Sequence, residues 1–358
     1  MTVAQIGEFG LIARLARIVS HSTRDPLQPE ATGSMSIGDD AALWEPTPGF
    51  QEVLTTDALI EDIHFRHHTT SWHDLGWKAL AENVSDIAAM GARPTRAFIT
   101  LGLRPSTRVA DLEDLYRGFD AFNRHFTEYG LAHGFAGGLG VQIAGGDTVS
   151  SPVTMLSITV VGELTGPGLR RAAGRPGDLV AVTGTLGGSA GGLALLERGD
   201  VAADDANASA LLRSHCRPMP HVAEGVILTE HGIRCGMDLS DGLLGDIGKL
   251  AYASGLSATI RYPMLPVLPE LVRTFGEERA RELALVGGED YELLVAGEAE
   301  MIAACSLALR ERGLAPLTPV GWLEAGPPGQ VAVVNADGAP VPTPRSSWDH
   351  FQQQGTTS

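Results

Sequence analysis

The residues with the clearest chemical potential are aspartates beside glycines or at the ends of apolar segments. Glycine lets a backbone approach a phosphate closely, and carboxylates supply the hard oxygen ligands that Mg²⁺ prefers. One such pair alone is more typical of a turn or helix cap. The six segments are Gly38-Asp39-Asp40, Thr55-Thr56-Asp57, Ser85-Asp86, Gly145-Gly146-Asp147, Asp238-Leu239-Ser240-Asp241 and Gly287-Gly288-Glu289-Asp290. Together they predict a site for divalent metal and polyphosphate.

The charge balance supports a metal-dependent site. The chain has 26 basic and 43 acidic residues and a net charge of −17. Such a field repels nucleic acid and anionic membranes, so neither is an expected partner. An acidic protein can hold a polyphosphate when divalent cations lie between the two, and clustered aspartates without metal would repel one another.

The common nucleotide-binding motifs are absent from the sequence. There is no GxxxxGK[ST] phosphate loop and no protein-kinase pair of HRD and DFG. A phosphoryl-transfer enzyme of this sequence therefore needs a different ATP-binding fold.

One segment offers an alternative chemistry. Gly187-Gly188-Ser189-Ala190-Gly191 fits the GxSxG nucleophile elbow and lies between a predicted strand and a predicted helix. A serine hydrolase would take Asp238 or Asp290 and His350 as partners. That interpretation leaves the other acidic segments unexplained, so we favour a glycine turn into a helix.

The elements that must position these residues alternate between strands and helices. Periodicity predicts strands at residues 51–57, 96–103, 153–163, 178–184, 257–261 and 291–296, and helices at 74–90, 112–126, 189–198, 222–230, 243–253 and 298–312. A shift to Gly, Pro and Arg at 165–177 predicts a boundary between domains 1–165 and 166–358. The fold class is α/β or α+β.

Composition fits a globular protein, with 44% hydrophobic and 19% charged residues. No apolar run approaches the ~18 residues of a membrane helix, and no secretory signal is evident, so a cytoplasmic location is expected. Three cysteines without CxxC spacing, Cys216, Cys235 and Cys305, argue against disulfides and structural zinc. Ser85-Asp86 and Ser240-Asp241, each beside an apolar helix, suggest two related halves facing a shared cleft.

The ordered motifs GDDAAL, LTTDALIEDIHF, KALAENVSDIAAMGARP, IAGGDTV, MDLSDGL and GGEDYEL resemble the thiamine-monophosphate kinase family. That family belongs to the superfamily of aminoimidazole ribonucleotide synthetase. The resemblance spans nearly the whole chain. It implies two α/β domains, a homodimer in which the N-terminal sheets form a barrel, and ATP held between the halves. It also implies direct, Mg²⁺-dependent transfer of the ATP γ-phosphate to thiamine phosphate.

The resemblance also assigns residues. The family's magnesium positions match Asp40, Thr56, Asp57, Asp86, Asp147, Asp238 and Asp241, with Thr55 beside them; those contacting ATP match Gly146, Arg171 and Ser240; those at thiamine phosphate match His64, Glu289 and Trp348. Of these, Asp57, Asp86, Asp147 and Asp241 are the expected catalytic set. Arginine can neutralise phosphate bidentately, and an aromatic face can stack on a thiamine ring.

One segment departs from the family pattern, and two other functional hypotheses stay open. Residues 131–144 are longer and richer in glycine than the family pattern, which leaves the local path into the GGD loop open. A sister synthetase is the second hypothesis, although a selenophosphate synthetase would carry a reactive cysteine near its N-terminus and the first here is Cys216. A non-catalytic nucleotide sensor is the third, and it has little use for several metal ligands.

Overall fold

The computed structural model describes residues 1–20, 37, 40–199 and 204–343. The chain forms two compact units, Met1–Gly168 and Leu169–Ser358. Each unit has its own sheet, and they are described separately.

The first unit is a four-stranded sheet with helices. Its elements are α1 (Val3–Ile6), α2 (Glu8–Ser20), β1 (Gln51–Ile60), α3 (Trp72–Ala89), β2 (Arg93–Leu103), α4 (Val109–Ala132), β3 (Gln142–Ser150) and β4 (Met155–Leu164). The strand order is β1-β4-β2-β3. β2 and β3 are parallel, whereas β4 is antiparallel to both β1 and β2. β1 and β3 are therefore the two edges.

The two faces of this sheet differ. Ile158 and Ile99 are buried on the face that packs against α3. The other face exposes apolar side chains at both edges, with Leu54 66% and Val149 43% exposed. Among the described residues the sheet stays open, so the barrel expected from the resemblance is not formed within this chain.

Close packing of α3 on α4 depends on two glycines. A Cβ added at Gly76 would lie 2.0 Å from the carbonyl oxygen of Leu115, and one added at Gly118 would lie 2.0 Å from that of His73. Each helix therefore presents a bare backbone to the other. This contact fixes the position of α3, which carries Asp86.

We expect Gly76→Ala to destabilise the first unit by about 1–3 kcal/mol, because the methyl group would force the helices apart. Gly248→Ala, also inside a helix, is the matched control: its Cβ would have no neighbour closer than 3.5 Å, and alanine favours helix by roughly 1 kcal/mol. Chemical denaturation of both variants measures the difference. Equal stabilities for the two variants would contradict the packing argument.

The second unit contains a six-stranded sheet. Its elements are β5 (Leu179–Val182), α5 (Gly188–Arg198), α6 (Ala206–Cys216), α7 (Val222–Glu230), β6 (Cys235–Asp238), α8 (Leu243–Ala253), β7 (Ser257–Arg261), α9 (Pro269–Phe275), α10 (Glu277–Val286), β8 (Leu293–Gly297), α11 (Ala299–Glu311), β9 (Thr318–Glu324) and β10 (Val331–Val334). The strand order is β10-β7-β9-β5-β8-β6. One core cluster joins the sheet to α8, and a smaller one joins α5, α6, α9 and α10.

Two local predictions from the sequence are wrong. Gly145-Gly146-Asp147 lies inside β3 and not in a loop, because a register shift between Ala97 and Phe98 lets the strand continue through the glycines. Ser85-Asp86, expected beside a helix as Ser240-Asp241 is, lies within α3, whereas Ser240-Asp241 precedes α8. The relation between the two halves stays a prediction.

Candidate functional site

One group of predicted ligands comes together between β1 and α3. The Thr55 hydroxyl donates a hydrogen bond of 2.5 Å to Oδ2 of Asp86. Loss of water around the carboxylate raises the pKa of Asp57, and repulsion by the Asp86 carboxylate adds to this shift. Asp57 nevertheless keeps a large exposed surface, as its edge strand allows. Two carboxylates and a hydroxyl therefore meet on the helix-covered face.

These oxygens fit Mg²⁺ by their chemistry. Mg²⁺ is commonly held by one or two carboxylates together with substrate phosphates. A divalent cation would relieve the repulsion that contributes to the raised pKa of Asp57. In the part of the chain that the structure describes, no group of three or more His, Cys, Asp or Glu side chains is arranged to hold a metal ion. Phosphate and water oxygens would have to complete the coordination.

Other predicted ligands of this unit lie elsewhere. Asp147 on β3 is in register with Thr100, Ser157 and Ala58, the row next to that of Asp57. Side chains of neighbouring register rows point to opposite faces of the sheet, and the edge strands β1 and β3 are three strand spacings, or about 14 Å, apart. The sheet therefore does not bring Asp147 to Asp57. Thr56 faces away from Asp86 too, and its hydroxyl accepts a hydrogen bond from Thr159 at 3.0 Å.

Gly146 is required by the sheet itself. Its φ is +154° and an added Cβ would lie 1.8 Å from the carbonyl oxygen of Ile99. Close contact with β2 explains this glycine without any ligand.

The remaining predicted residues of the first unit are Asp40 and His64. Asp40 is exposed. His64 follows β1, and its Nδ1 accepts a hydrogen bond of 3.0 Å from the backbone N–H of Ile60. Trp348, predicted at thiamine phosphate, lies outside the described residues, as does His350.

In the second unit, two motif segments lie side by side. The backbone N–H of Glu289 donates to the carbonyl of Ser240 at 2.8 Å, and that of Tyr291 donates to Leu239 at 2.9 Å. Glycine is needed at the contact, since a Cβ at Gly288 would lie 2.6 Å from the Ser240 oxygen. MDLSDGL and GGEDYEL thus form one paired structure.

The acids of the first segment differ in burial. Asp238 ends β6 and is 3% exposed, whereas the Asp241 side chain is 30% exposed. Lys249 of α8 contacts the carboxylates of both Asp241 and Asp246. Partial burial works against the charged ammonium, but the hydrogen bonds to Asp241 and Asp246 raise the pKa of Lys249 above its ordinary value. Sequence patterns gave no signal for this lysine.

Arg171, predicted to contact ATP, begins a short 3₁₀ segment, Arg171–Ala173, and is exposed. Its carbonyl accepts a hydrogen bond of 2.7 Å from the Ser254 hydroxyl. The backbone is therefore fixed, and the guanidinium extends from an ordered segment.

Glu289 and Asp290 face different neighbours. Oε2 of Glu289 lies 3.5 Å from Nδ1 of His215. Asp290 accepts hydrogen bonds from the backbone N–H groups of Gly187 at 2.7 Å and Ser189 at 3.1 Å, so it caps α5. Burial raises the pKa of Asp290 to about 7.

The geometry does not support a serine hydrolase. Ser189 is fully buried, and its hydroxyl lies 3.0 Å from Nδ1 of His215. Glu289 contacts the same nitrogen, whereas a catalytic triad needs the acid and the serine on opposite ring nitrogens. Asp290 is occupied at the α5 N-terminus. The glycine turn favoured from the sequence accounts for this segment.

We therefore expect Ser189→Ala to keep near-normal activity and to lose only about 1 kcal/mol of stability, the usual net value of one hydrogen bond. Steady-state kinetics of the purified variant measures this. An inactive but folded variant would restore the nucleophile hypothesis.

A buried ionic network was not anticipated. His221 places Nε2 2.6 Å from Oε2 of Glu292 and Nδ1 3.0 Å from Oε1 of Glu224. Glu292 also accepts from the Thr183 hydroxyl at 2.6 Å. Burial opposes the protonated imidazole, but the charges of Glu292 and Glu224 outweigh it and raise the pKa of His221 well above its usual value. The network joins the end of β5 to the GGEDYEL segment.

Comparisons with known proteins cover both units. The model for the N-terminal domain of AIR synthase related proteins matches residues 38–164, and that for the C-terminal domain matches residues 175–334. Thiamine-monophosphate kinase from Escherichia coli K12 is 36% identical over 348 residues, covering 96% of this chain and 98% of the relative. The chain belongs to the thiamine-monophosphate kinase family. The Bacillus subtilis member is 32% identical over 352 residues, with 96% and 99% coverage.

Solved structures of the thiamine-monophosphate kinase family agree. The Stenotrophomonas maltophilia K279a enzyme is 34% identical, with a TM-score of 0.76 and coverage of 94% of this chain and 98% of that one. The structure of AaThiL complexed with AMPPCP and TMP is 31% identical, with a TM-score of 0.70 and coverage of 98% and 99%. The two-domain α/β fold of the family is confirmed. None of the described helices is both long and apolar enough to cross a membrane.

Proposed function

We propose that the chain transfers the γ-phosphate of ATP to thiamine phosphate and releases thiamine diphosphate and ADP. The observation that carries this is identity of 32–36% to thiamine-monophosphate kinases across almost the whole chain. A relative of 31% identity has been solved with AMPPCP, an ATP analogue, and TMP. An oxygen of thiamine phosphate forms a bond to the γ-phosphorus while the bond from that phosphorus to the ADP oxygen breaks.

The metal site proposed on the first unit is the pair Asp57 and Asp86 with the Thr55 hydroxyl. Bound Mg²⁺ would neutralise phosphate charge as it spreads over the transferring oxygens. The two carboxylates would hold that charge in place, and Thr55 fixes the orientation of Asp86 through its hydrogen bond. Asp40, Thr56 and Asp147 are proposed ligands on family resemblance alone.

On the second unit the proposed metal ligands are Asp238 and Asp241, beside Ser240. The backbone hydrogen bond that joins Glu289 to Ser240 supports a common role for the two segments. Glu289 is proposed at thiamine phosphate, with its side chain steadied by His215. The roles of Gly146 and Arg171 at ATP, and of His64 and Trp348 at thiamine phosphate, are proposed from the resemblance.

One assay tests the function. The purified protein is incubated with ATP and Mg²⁺ and either thiamine phosphate or an aminoimidazole precursor, and the products are identified by mass spectrometry. With thiamine phosphate as the acceptor, we expect thiamine diphosphate and ADP in equal amounts. With the aminoimidazole precursor, we expect no product. The Asp57→Ala protein, purified identically, controls for contaminating kinases. Product from the aminoimidazole precursor alone would favour a sister synthetase.

A homodimer is also proposed, through the face of the first unit's sheet opposite α3. The support is the exposure of Leu54 and Val149 on that face, because exposed apolar side chains on a sheet face favour burial by a partner. We expect Leu54→Glu to shift the protein toward monomer in sedimentation velocity, while Leu131→Glu, an exposed leucine of α4, leaves the sedimentation unchanged. Identical sedimentation of both variants would contradict this interface.

A cytoplasmic location is proposed as well.

A further inference from the structure

Lysine is rare in this chain, and one of its lysines lies at the proposed site. Of 26 basic residues only Lys78 and Lys249 are lysines. Lys78 is buried within α3 at 4% exposure. Lys249 contacts the carboxylates of Asp241 and Asp246. An ammonium is a compact point charge that fits between two carboxylates, whereas the guanidinium of arginine is a wide planar fork.

Asp246 fixes the lysine in place. It is fully buried, its Oδ1 accepts a hydrogen bond of 2.7 Å from Lys249, and its Oδ2 accepts one of 2.9 Å from the Asp241 backbone N–H. A buried carboxylate needs such partners, because loss of its cation leaves an uncompensated charge. The contact between Lys249 and Asp246 is therefore structural.

The contact with Asp241 is different in kind. The Asp241 side chain is 30% exposed and the Lys249 side chain is 39% exposed, so both can exchange partners with solvent ions. Lys249 contacts Oδ2 of Asp241. An ammonium and a divalent cation on one carboxylate compete for its charge and repel each other, so each weakens the binding of the other.

We propose that Lys249 is a resident counter-cation that occupies Asp241 until Mg²⁺ binds, and that it thereby sets the Mg²⁺ concentration at which Asp241 is recruited. The inference rests on the proposed role of Asp241 as a metal ligand. Lys249 acts through Asp241 and is a positioning residue. It keeps the carboxylate ordered without metal and opposes metal binding by direct competition.

The scarcity of lysine allows a direct test on the whole protein. Labelling lysine with ¹³C at Cε gives two signals in a ¹H–¹³C spectrum, and the Lys249→Arg variant identifies the one from Lys249. Titration with MgCl₂ is expected to move the Lys249 signal saturably, with NaCl of equal ionic strength as the control. If Mg²⁺ raises the melting temperature while the Lys249 signal stays still, the proposal is overturned.

Mg²⁺ affinity gives the second measurement, by isothermal titration without nucleotide. We expect Lys249→Met to bind Mg²⁺ about tenfold more tightly than wild type, because a competing charge has been removed. Since this variant leaves the buried carboxylate of Asp246 without its cation, the double variant Asp246→Asn with Lys249→Met removes that charge and keeps Asp241. Unchanged or weaker affinity in the folded variants, or no Mg²⁺ binding by any protein, would overturn the inference. Thiamine diphosphate formation by wild type, assayed separately, decides the proposed function.

Discussion

Replacing Asp57 by alanine is expected to lower kcat at least ~10²-fold while the fold stays intact, the usual scale for losing one preorganised electrostatic element. The carboxylate lies on an edge strand and faces Asp86, so its removal leaves no cavity in the core and relieves a repulsion. Fixed-time assays of ADP formation at saturating ATP and thiamine phosphate measure kcat, and circular dichroism checks the fold. Asp241→Ala on the second unit is expected to behave alike.

Asp114→Asn is the matched control for this prediction. Asp114 is an exposed carboxylate of the same unit, 3.6 Å from Arg117 on α4. It should retain full activity, so a general effect of lost negative charge can be separated from a metal role. Turnover of Asp57→Ala within tenfold of wild type would remove Asp57 from the proposed metal site.

Replacing His221 by glutamine is expected to cost about 3–5 kcal/mol of unfolding free energy, because Glu224 and Glu292 would stay buried without their shared cation. Glu224 is 1% and Glu292 is 9% exposed, so water cannot substitute easily. Urea denaturation at pH 6 measures the loss. His231→Gln at the exposed C-terminal end of the same helix, α7, is the control and should change stability by less than about 0.5 kcal/mol.

The same network predicts a pH dependence. His221 holds its proton more tightly in the folded protein than in the unfolded chain, where imidazole titrates near 6.5. Its contribution is therefore fully present below about pH 6.5 and declines as the pH rises through the raised pKa of His221. The stability difference between wild type and His221→Gln should shrink toward alkaline pH. A difference that grows with pH would show that His221 is neutral in the folded state.

Local sequence signals located many elements well. Residues 222–230, 243–253 and 257–261 were predicted as α7, α8 and β7, and the structure has these bounds. Their apolar periodicity and flanking glycines are properties of neighbouring residues, so a single segment carries the information. The family assignment had the same basis, since it came from short ordered motifs.

Other features depend on partners distant in sequence. β3 was missed because glycines at 145 and 146 weaken the strand signal, and only pairing with β2 makes the strand form. The ionic network pairs His221 with Glu292, which lies 71 positions further along the chain. No sequence motif pointed to Lys249, because its proposed role depends on the two carboxylates that it contacts. Trp348 stays a prediction outside the described residues.

The GGEDYEL segment has a consequence for mutational scanning of this family. The Glu289 backbone is bonded to Ser240, Asp290 caps α5, and Glu292 holds both His221 and Thr183. Substitutions here will disturb several parts of the second unit at once. Loss of activity at Asp290 or Glu292 should therefore be attributed to substrate contact only after the melting temperature has been compared, since acids in one motif can serve the architecture alone.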